Sequence, residues 1–258
     1  MDLNIKNQRF IVCGASSGFG RAIAEQLLTE SASIIAVARR REKLVELDKA
    51  FPGKVATVAG NLLKNETHDR IAKAVSNDPL HGVILNAGGP PALTPLETSI
   101  NDWDEAYKQV MRWKVELLLR LVPHFTAAQY GRVLFVESQS VKQPIPTLVL
   151  SNAFRAGIVG FAKSMAQEVA DEGVTVNVLA PGSHDTPAIE RVIQKKVEAS
   201  GESYKEVKKQ METAIPVGRF GKATEIASLA AWLLSPHSSY LTGQTLSHAG
   251  GHIKGLFG

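Results

Sequence analysis

A glycine-rich turn between a short apolar strand and a helix limits the folds open to this chain more than any other segment. The predicted strand at residues 10–13 runs directly into Gly14-Ala15-Ser16-Ser17-Gly18-Phe19-Gly20, and an amphipathic helix pattern begins at Arg21. Glycines permit the tight turn and let the backbone approach a diphosphate, whose charge the helix amino terminus stabilises. The sequence therefore predicts a dinucleotide cradle whose contacts are Gly14, Ser16, Ser17, Gly18, Phe19 and Gly20. A plain strand-to-helix turn is the alternative.

Short β-branched runs alternate with longer helical patterns along the rest of the chain. This alternation is typical of βαβ units and predicts an α/β, Rossmann-type doubly wound parallel sheet of about seven strands with helices on both faces. Because the 258 residues contain no repeat and no flexible linker, we expect a single domain over 1–258. The further predicted strands are 33–38, 55–59, 83–86, 133–136, 174–178 and 245–247, and the predicted helices include 21–30, 102–128 and 150–172.

One charged segment, at about 188–212, interrupts the alternation after Pro181-Gly182 and is typical of an inserted helical pair. An insert near the carboxyl end of a strand predicts a lid over a site. A pair of solvated surface helices remains the alternative.

Composition excludes several classes of protein. Twenty-nine basic and 25 acidic residues leave a net charge of +4, with no dense basic run beyond Arg39-Arg40-Arg41, so we expect no nucleic-acid partner. One cysteine, Cys13, excludes an internal disulfide and fits a cytoplasmic location. No apolar stretch approaches the roughly 18 residues of a membrane helix. The histidines show no ligand spacing, so we predict no metal.

The end of the second strand bears on the choice of nucleotide. An acidic residue there holds the free ribose hydroxyl of NAD, whereas arginine favours the extra phosphate of NADP. The strand ends in Val37-Ala38-Arg39, with no acid until Glu42. Arg39 is therefore the candidate for the 2′-phosphate, by charge-assisted hydrogen bonding, and we predict NADP(H), with NAD(H) left open. A solvated basic turn is the alternative.

These residues resemble the short-chain dehydrogenase/reductase family, particularly its 3-oxoacyl-carrier-protein reductase-like members, over essentially the whole chain. The glycine loop resembles the family's Thr-Gly-x-x-x-Gly-x-Gly with Cys13 in the threonine position. The resemblance implies strand order 3-2-1-4-5-6-7, a small-molecule substrate, and a homotetramer or homodimer formed through the long helices and the carboxyl-terminal segment. It also implies further cofactor contacts at Asn61, Leu62, Asn86, Ala87, Gly88, Pro181, Gly182 and Thr186.

The catalytic positions depart from the family. Its reductases use Asn, Ser, Tyr and Lys, with Tyr-x-x-x-Lys beginning 13 residues after the Ser; counted from Ser138, those two positions hold Ser151 and Arg155. Val110 stands in the asparagine position, and Lys114 follows it by one helical turn. Only the serine of the four remains.

This departure matters because hydride addition to a ketone makes an alkoxide that needs a proton. Serine is a far weaker acid than tyrosine, and arginine stays protonated. Ser138, Ser151 and Arg155 therefore predict a polar pocket that binds a carbonyl oxygen or an anion, with Arg155 also contacting the nicotinamide ribose as the family's lysine does. The alternatives for Arg155 are a buried structural ion pair, a phosphate contact or an interface contact.

His184 is the substitute proton donor that the sequence offers, because histidine titrates near neutrality and His184 lies in the Pro181–Thr186 segment. A loop histidine packed on the cofactor or facing solvent is the alternative. Tyr204 and Lys208 satisfy Tyr-x-x-x-Lys, yet they lie in the insert and are expected on a solvated helix face.

Three functions follow. The first is an NADP(H)-binding oxidoreductase acting on a carbonyl or hydroxyl compound with an altered proton relay. The second is a non-redox enzyme on the same fold, of lyase or dehalogenase type. The third is a nucleotide-binding protein without turnover.

Overall fold

Seven parallel strands form the central sheet of the computed structural model, which describes residues 1–75 and 78–256. Their order is β3-β2-β1-β4-β5-β6-β9, as expected. The central strands are apolar over nearly their whole length because helices cover both faces of a parallel sheet. The strands are β1 Arg9–Cys13, β2 Ser33–Ala38, β3 Val55–Ala59, β4 Gly82–Asn86, β5 Gly131–Val136, β6 Val174–Pro181 and β9 Thr245–His248. A separate pair is formed by β7 His184–Asp185 and β8 Gly221–Lys222.

The helices bury apolar residues in two clusters, one on each face of the sheet. Helices α1 Gly18–Thr29, α2 Arg41–Ala50 and α9 Ala223–Leu233 contribute to one cluster. Helices α3 Asn65–Val75, α5 Trp113–Ala127 and α6 Val149–Val169 contribute to the other. The doubly wound α/β class predicted from the sequence is confirmed.

The helix expected at 102–128 is divided. Helix α4 spans Ile100–Tyr107, a π-helical turn follows at Lys108–Arg112, and α5 begins at Trp113. The indole N–H of Trp113 donates to the carbonyl of Gln109, 2.9 Å away. In a regular α-helix that carbonyl would accept from the backbone amide of Trp113. The regular hydrogen-bond pattern is therefore interrupted at this turn, which is wider than an α-helical turn. The hydrophobic periodicity of the sequence does not predict this π-helical turn.

The charged insert forms two helices, α7 Pro187–Ser200 and α8 Tyr204–Thr213. They pack around a small apolar cluster of their own, formed by Ile193, Val207, Ile215 and Phe220. Within the described ranges, no helix combines the length and the apolar character needed to cross a bilayer.

Candidate functional site

The turn after β1 has no room for side chains at two of its glycines. Gly14 has a φ of +72°, and a Cβ there would lie 2.7 Å from Nδ2 of Asn86. A Cβ on Gly20 would overlap the carbonyl of Gly14 and approach Asn86 Nδ2 to 2.9 Å. Glycine is therefore required sterically at both positions, and it keeps the start of α1 close to the end of β1.

The first turn of α1 presents a positive electrostatic end to the space above this loop. Ser17 is its N-cap, with an extended backbone and no capping hydrogen bond from its side chain. No acidic residue occupies the first turn. Amide groups at such a terminus, together with the helix dipole, favour an anion, so the loop fits a diphosphate.

Two contacts connect this loop to the segment after β6. A Cβ on Gly18 would lie 4.0 Å from Cβ of Thr186. The ring of Phe19 meets the ring of His184 edge-on, with centroids 5.1 Å apart. The hydroxyl of Thr186 donates to the carbonyl of His184 at 3.3 Å. The structure thus brings the predicted phosphate loop and the predicted nicotinamide segment together at one edge of the sheet.

The basic turn after β2 uses its second arginine to reach the loop. Arg40 donates from Nη2 to the hydroxyl of Ser16 at 3.0 Å and to its carbonyl at 3.2 Å. Arg39 is exposed beside it. Both arginines therefore stand at the edge where a ribose phosphate would be placed, and Arg40 is a residue that the sequence argument did not single out.

The remaining predicted cofactor contacts follow strands β3, β4 and β6. The side chain of Asn61 accepts from the Leu63 amide at 3.1 Å, which shapes the turn after β3. Asn86 donates to the carbonyl of Cys13 at 3.4 Å. The Gly182 amide donates to the carbonyl of His248 at 3.0 Å. The partly buried side chains Leu62 and Ala87 pack on the core, Pro181 ends β6, and Gly88 is exposed.

A buried cluster of charges occupies the region that the sequence assigned to catalysis. Glu137, which directly follows β5, has a fully buried side chain. Its Oε1 accepts from Nζ of Lys114 at 2.5 Å, and its Oε2 accepts from Nη1 of Arg155 at 2.8 Å. Nε of Arg155 donates to the hydroxyl of Ser151 at 3.0 Å. We call Lys114, Glu137, Arg155 and Ser151 the charged cluster.

The charged cluster contains two cations and one anion. Burial lowers the pKa of Lys114 to about 8; Glu137 opposes this shift, and the positive charge of Arg155 adds to it. Cys13 also lies within electrostatic range, and burial raises the pKa of its thiol to about 12, so the thiol stays protonated. Lys114 therefore has a charge that is sensitive to pH changes a little above neutrality.

Glu137 was missed by the sequence argument, although a signal was present. It is the acid that ends the otherwise apolar run of β5, and a buried carboxylate must be paired. Lys114, which follows the asparagine position by one helical turn in the sequence, lies at the start of α5, just after the π-helical turn. The structure joins Ser151 and Arg155 as predicted. Ser138 accepts instead from the amide of Ser140 at 3.1 Å, within its own turn.

His184 is almost fully buried, at 3% exposure, and both of its ring nitrogens have partners. Nδ1 lies 3.0 Å from the carbonyl of Gly182, and Nε2 lies 2.9 Å from Nδ1 of His248. Burial is the main cause that lowers the pKa of His184. To act as a proton donor to substrate, this side chain must first leave one of these partners.

Tyr204 lies at the surface of the insert. Its hydroxyl donates to Glu190 at 2.6 Å, and this hydrogen bond is the main cause that raises its pKa to about 12. A tyrosine held in this way is a poor acid at neutral pH. No group of three or more His, Cys, Asp or Glu side chains with metal-binding geometry occurs in residues 1–75 and 78–256.

Known proteins are similar in sequence to almost the whole chain. The family model described as enoyl-(acyl carrier protein) reductase matches residues 14–252. Nodulation protein G of Rhizobium meliloti is 29% identical over 96% of this chain and 97% of its own length. The 3-oxoacyl-(acyl-carrier-protein) reductase FabG of Aquifex aeolicus is 28% identical, covering 97% and 99%.

A solved structure places a nucleotide on the same fold. The L-sorbose reductase of Gluconobacter frateurii, complexed with NADPH and L-sorbose, superposes with a TM-score of 0.93. It is 28% identical in sequence, and the match covers 99% of this chain and all of that one. The likeness therefore extends over essentially the whole fold.

Proposed function

This chain belongs to the short-chain dehydrogenase/reductase family, and from that premise we propose that it is an NADP(H)-binding oxidoreductase acting on a carbonyl or hydroxyl compound. The observation that carries the proposal is the cradle at residues 14–20, where a Cβ on Gly20 would overlap the Gly14 carbonyl. A turn that excludes side chains and ends in an uncapped helix terminus suits a diphosphate. NADP(H) would supply or accept the hydride, and every other role belongs to side chains of the chain.

The choice of NADP(H) over NAD(H) rests on the basic turn after β2. Arg39 and Arg40 lie there without a neighbouring acid that would hold a free ribose hydroxyl. The NADPH complex of the structurally similar L-sorbose reductase supports the same choice. We assign the 2′-phosphate to Arg39, with Arg40 fixing the turn through its hydrogen bonds to Ser16.

The proton relay of this enzyme differs from that of its family. Ser138 and Ser151 supply hydroxyl groups, and Arg155 supplies a permanent positive charge, so a developing oxyanion is stabilised electrostatically. None of these three is an efficient acid at neutral pH. We keep His184 as the candidate donor, with release from His248 as the condition for its action.

Two alternatives remain in view. The absence of the family's tyrosine and lysine from positions 151 and 155 favours a nucleotide-binding protein without turnover. A non-redox enzyme of lyase or dehalogenase type would use the same serine and arginine to hold an anion.

We also propose a cytoplasmic location, a homotetramer or homodimer, and a lid role for the insert at 188–212.

Nicotinamide fluorescence decides the cofactor. We expect NADPH to bind more tightly than NADH, and Arg39→Ala to weaken NADPH far more than NADH. Arg120→Ala, which removes a surface arginine paired with Asp69, serves as the matched control and is expected to bind both as the parent does. Failure of either nucleotide to bind would remove the proposal, and an equal effect of Arg39→Ala on both would overturn the NADP preference.

Consumption of NADPH with a panel of 3-oxoacyl thioesters, diketones, quinones and oxo acids decides turnover. We expect activity on at least one class, and a loss of 10²-fold or more in kcat/KM in Arg155→Met, since electrostatic stabilisation of an oxyanion is typically worth about that much. His184→Ala should lower kcat as well. Binding without consumption across the panel would leave the protein without turnover, the alternative given above.

A further inference from the structure

The charged cluster is not neutral, and this imbalance has a consequence for the substrate. Lys114 and Arg155 are both almost fully buried, and among the described residues the single carboxylate that ion-pairs with them is Glu137. Buried charges are expensive unless each is paired with a charge of opposite sign. With both cations protonated, the cluster carries one positive charge in excess.

One nitrogen of the Arg155 guanidinium, Nη2, is not used by the hydrogen bonds within the charged cluster. Nη1 and Nε of Arg155 are held by Glu137 and Ser151. Nη2 lies toward the loop after β4, 3.5 Å from where a Cβ on Gly89 would be. The neighbouring Gly88 is exposed, and a Cβ built on it would meet no atom within 4 Å. The Nη2 edge of the guanidinium thus lies beside the loop that carries Gly88, one of the predicted cofactor contacts.

Ser151 adds a second donor at this edge. Its Oγ accepts from Nε of Arg155, which leaves its own hydroxyl hydrogen to be donated. Guanidinium and hydroxyl donors side by side match the two oxygens of a carboxylate. Glu137 stays in place as the group that orients Arg155, and the second cation, Lys114, prevents that carboxylate from neutralising Arg155 fully.

We propose that Arg155 and Ser151 form a subsite for a substrate carboxylate, so that the carbonyl compound this protein takes is an oxo acid rather than a neutral ketone or thioester. This proposal names the substrate class for the function proposed above and rests on it. A bound carboxylate balances the charged cluster and stabilises the protonated form of Lys114. The other groups that act on Lys114 are Glu137 after β5, Arg155 on α6 and Cys13 on β1.

A matched pair of probes tests the subsite. Acetoacetate and its neutral methyl ester differ in the carboxylate, and isothermal titration calorimetry with the NADP⁺-saturated protein compares their affinities. We expect acetoacetate to bind at least tenfold more tightly than the ester. Arg155→Met should abolish that preference, and Arg120→Met, a surface control, should keep it. Equal binding of acid and ester, or a preference that survives in Arg155→Met, would overturn the proposal.

Proton uptake gives a second readout, which a merely structural role for the cluster would not produce. At pH 8, close to the pKa of Lys114, titrations in two buffers of different ionisation enthalpy should show uptake of up to about half a proton per bound acetoacetate. At pH 6 the uptake should vanish because Lys114 is already protonated. Lys114→Met should show none at either pH, and unchanged uptake in this variant contradicts the proposal.

Two further measurements decide the proposal if the first comparison cannot be made. If Arg155→Met does not fold, as checked by circular dichroism, the comparison is made with Lys114→Met, which makes the cluster neutral and should lower the acid-to-ester ratio at pH 7. If NADP⁺ does not bind, the proposed function fails by itself. The same acid and ester titrations on the protein alone then decide the carboxylate subsite.

Discussion

Glu137 forms ion pairs with two buried cations, so we expect the substitution of this single residue to change the stability of the protein. The ion pairs with Lys114 and Arg155 are almost completely removed from solvent, so neither is weakened by screening as a surface pair would be. Removing one partner of a buried pair leaves an uncompensated charge, which costs more than the pair contributes. The central anion is therefore the residue on which the cluster depends.

For Glu137→Gln we expect a loss of about 3–5 kcal/mol in the free energy of unfolding, because two buried cations lose their carboxylate. Urea denaturation followed by circular dichroism measures this change. Glu116→Gln, which removes the partner of Arg112 in an exposed pair on one helix, is the matched control and should leave the midpoint unchanged. Similar midpoints for the two variants would contradict the prediction.

Lys114 makes the stability depend on alkaline pH in a definite direction. Its pKa is about 8 in the folded protein and about 10.4 in an unfolded chain. Between these values the unfolded state binds more protons, so the contribution of Lys114 to stability rises with pH. The free energy of unfolding of the parent minus that of Lys114→Met should therefore increase from pH 8 to pH 10. A difference that stays flat or falls over this range would show that the folded protein does not lower the pKa of Lys114.

Strand β1, the glycine turn at residues 14–20 and helix α1 are packed together as one structural element. A methyl group on Gly20 has no space because the carbonyl of Gly14 and the amide of Asn86 occupy it. A strand, a turn and a helix must therefore shift together to accept any side chain. Sequence alone gives the glycine spacing, and the close approach that makes it necessary exists only in the folded element.

Gly20→Ala should abolish NADPH binding and destabilise the protein, as measured by nucleotide fluorescence and thermal unfolding. Gly160→Ala is the control, since Gly160 lies in α6 with no atom within 4 Å of an added Cβ. There the substitution should raise stability by about 0.5–1 kcal/mol through helix propensity, with unchanged binding. NADPH binding by Gly20→Ala equal to that of the parent would contradict the assigned cradle.

His184 connects three elements: it follows β6, meets Phe19 of α1, and hydrogen-bonds to His248 of β9. Burial is the main cause that lowers its pKa, with smaller electrostatic contributions from His248 and Arg219, and its hydrogen bond to Gly182 and the charge of Glu225 oppose this. The folded protein therefore resists protonation at this position. The unfolded chain binds that proton freely once the pH falls below about 6.5.

The free energy of unfolding should fall as the pH decreases from 6.5, and His184→Phe should reduce this slope by up to about 1.4 kcal/mol per pH unit. Chemical denaturation at intervals from pH 7 to pH 5 measures it. His124→Gln, on an exposed part of α5, should retain the slope of the parent. Parallel curves for the parent and His184→Phe would show that His184 titrates alike in both states.

At the scale of the whole molecule, the proposed oligomer needs an apolar surface on the long helices. Leu119 on α5 and Tyr107 on α4 are exposed large side chains, at 55% and 43%. Exposed apolar groups of this size on neighbouring helices suit contact with a second copy of the chain. We assign them to the helical interface of the proposed homotetramer or homodimer.

Leu119→Lys should dissociate that oligomer, because the interface would have to bury an unpaired ammonium group on each copy. Size-exclusion chromatography with light scattering gives the mass as a multiple of the 27.8 kDa chain. Val45→Lys, on the exposed face of α2 outside the proposed interface, should leave the mass unchanged. A parent protein that elutes as a monomer would overturn the assignment.

Local sequence patterns predict the layered fold and the place of the glycine loop, and the family resemblance predicts the strand order. Local patterns suffice for these because buried parallel strands are apolar throughout and a tight turn needs glycine. The family resemblance also predicts that Ser151 and Arg155 stand where the family has its tyrosine and lysine.

The contacts of Ser151 and Arg155 depend instead on how the chain packs. Glu137 lies 23 residues from Lys114 and 18 from Arg155, and the fold alone brings the end of β5 against helices α5 and α6. The indole N–H of Trp113 donates to the Gln109 carbonyl in the π-helical turn that precedes Lys114, and hydrophobic periodicity does not encode this contact. Ion pairing acts through space, so a charge balance inside the protein follows from packing and cannot be read along the chain.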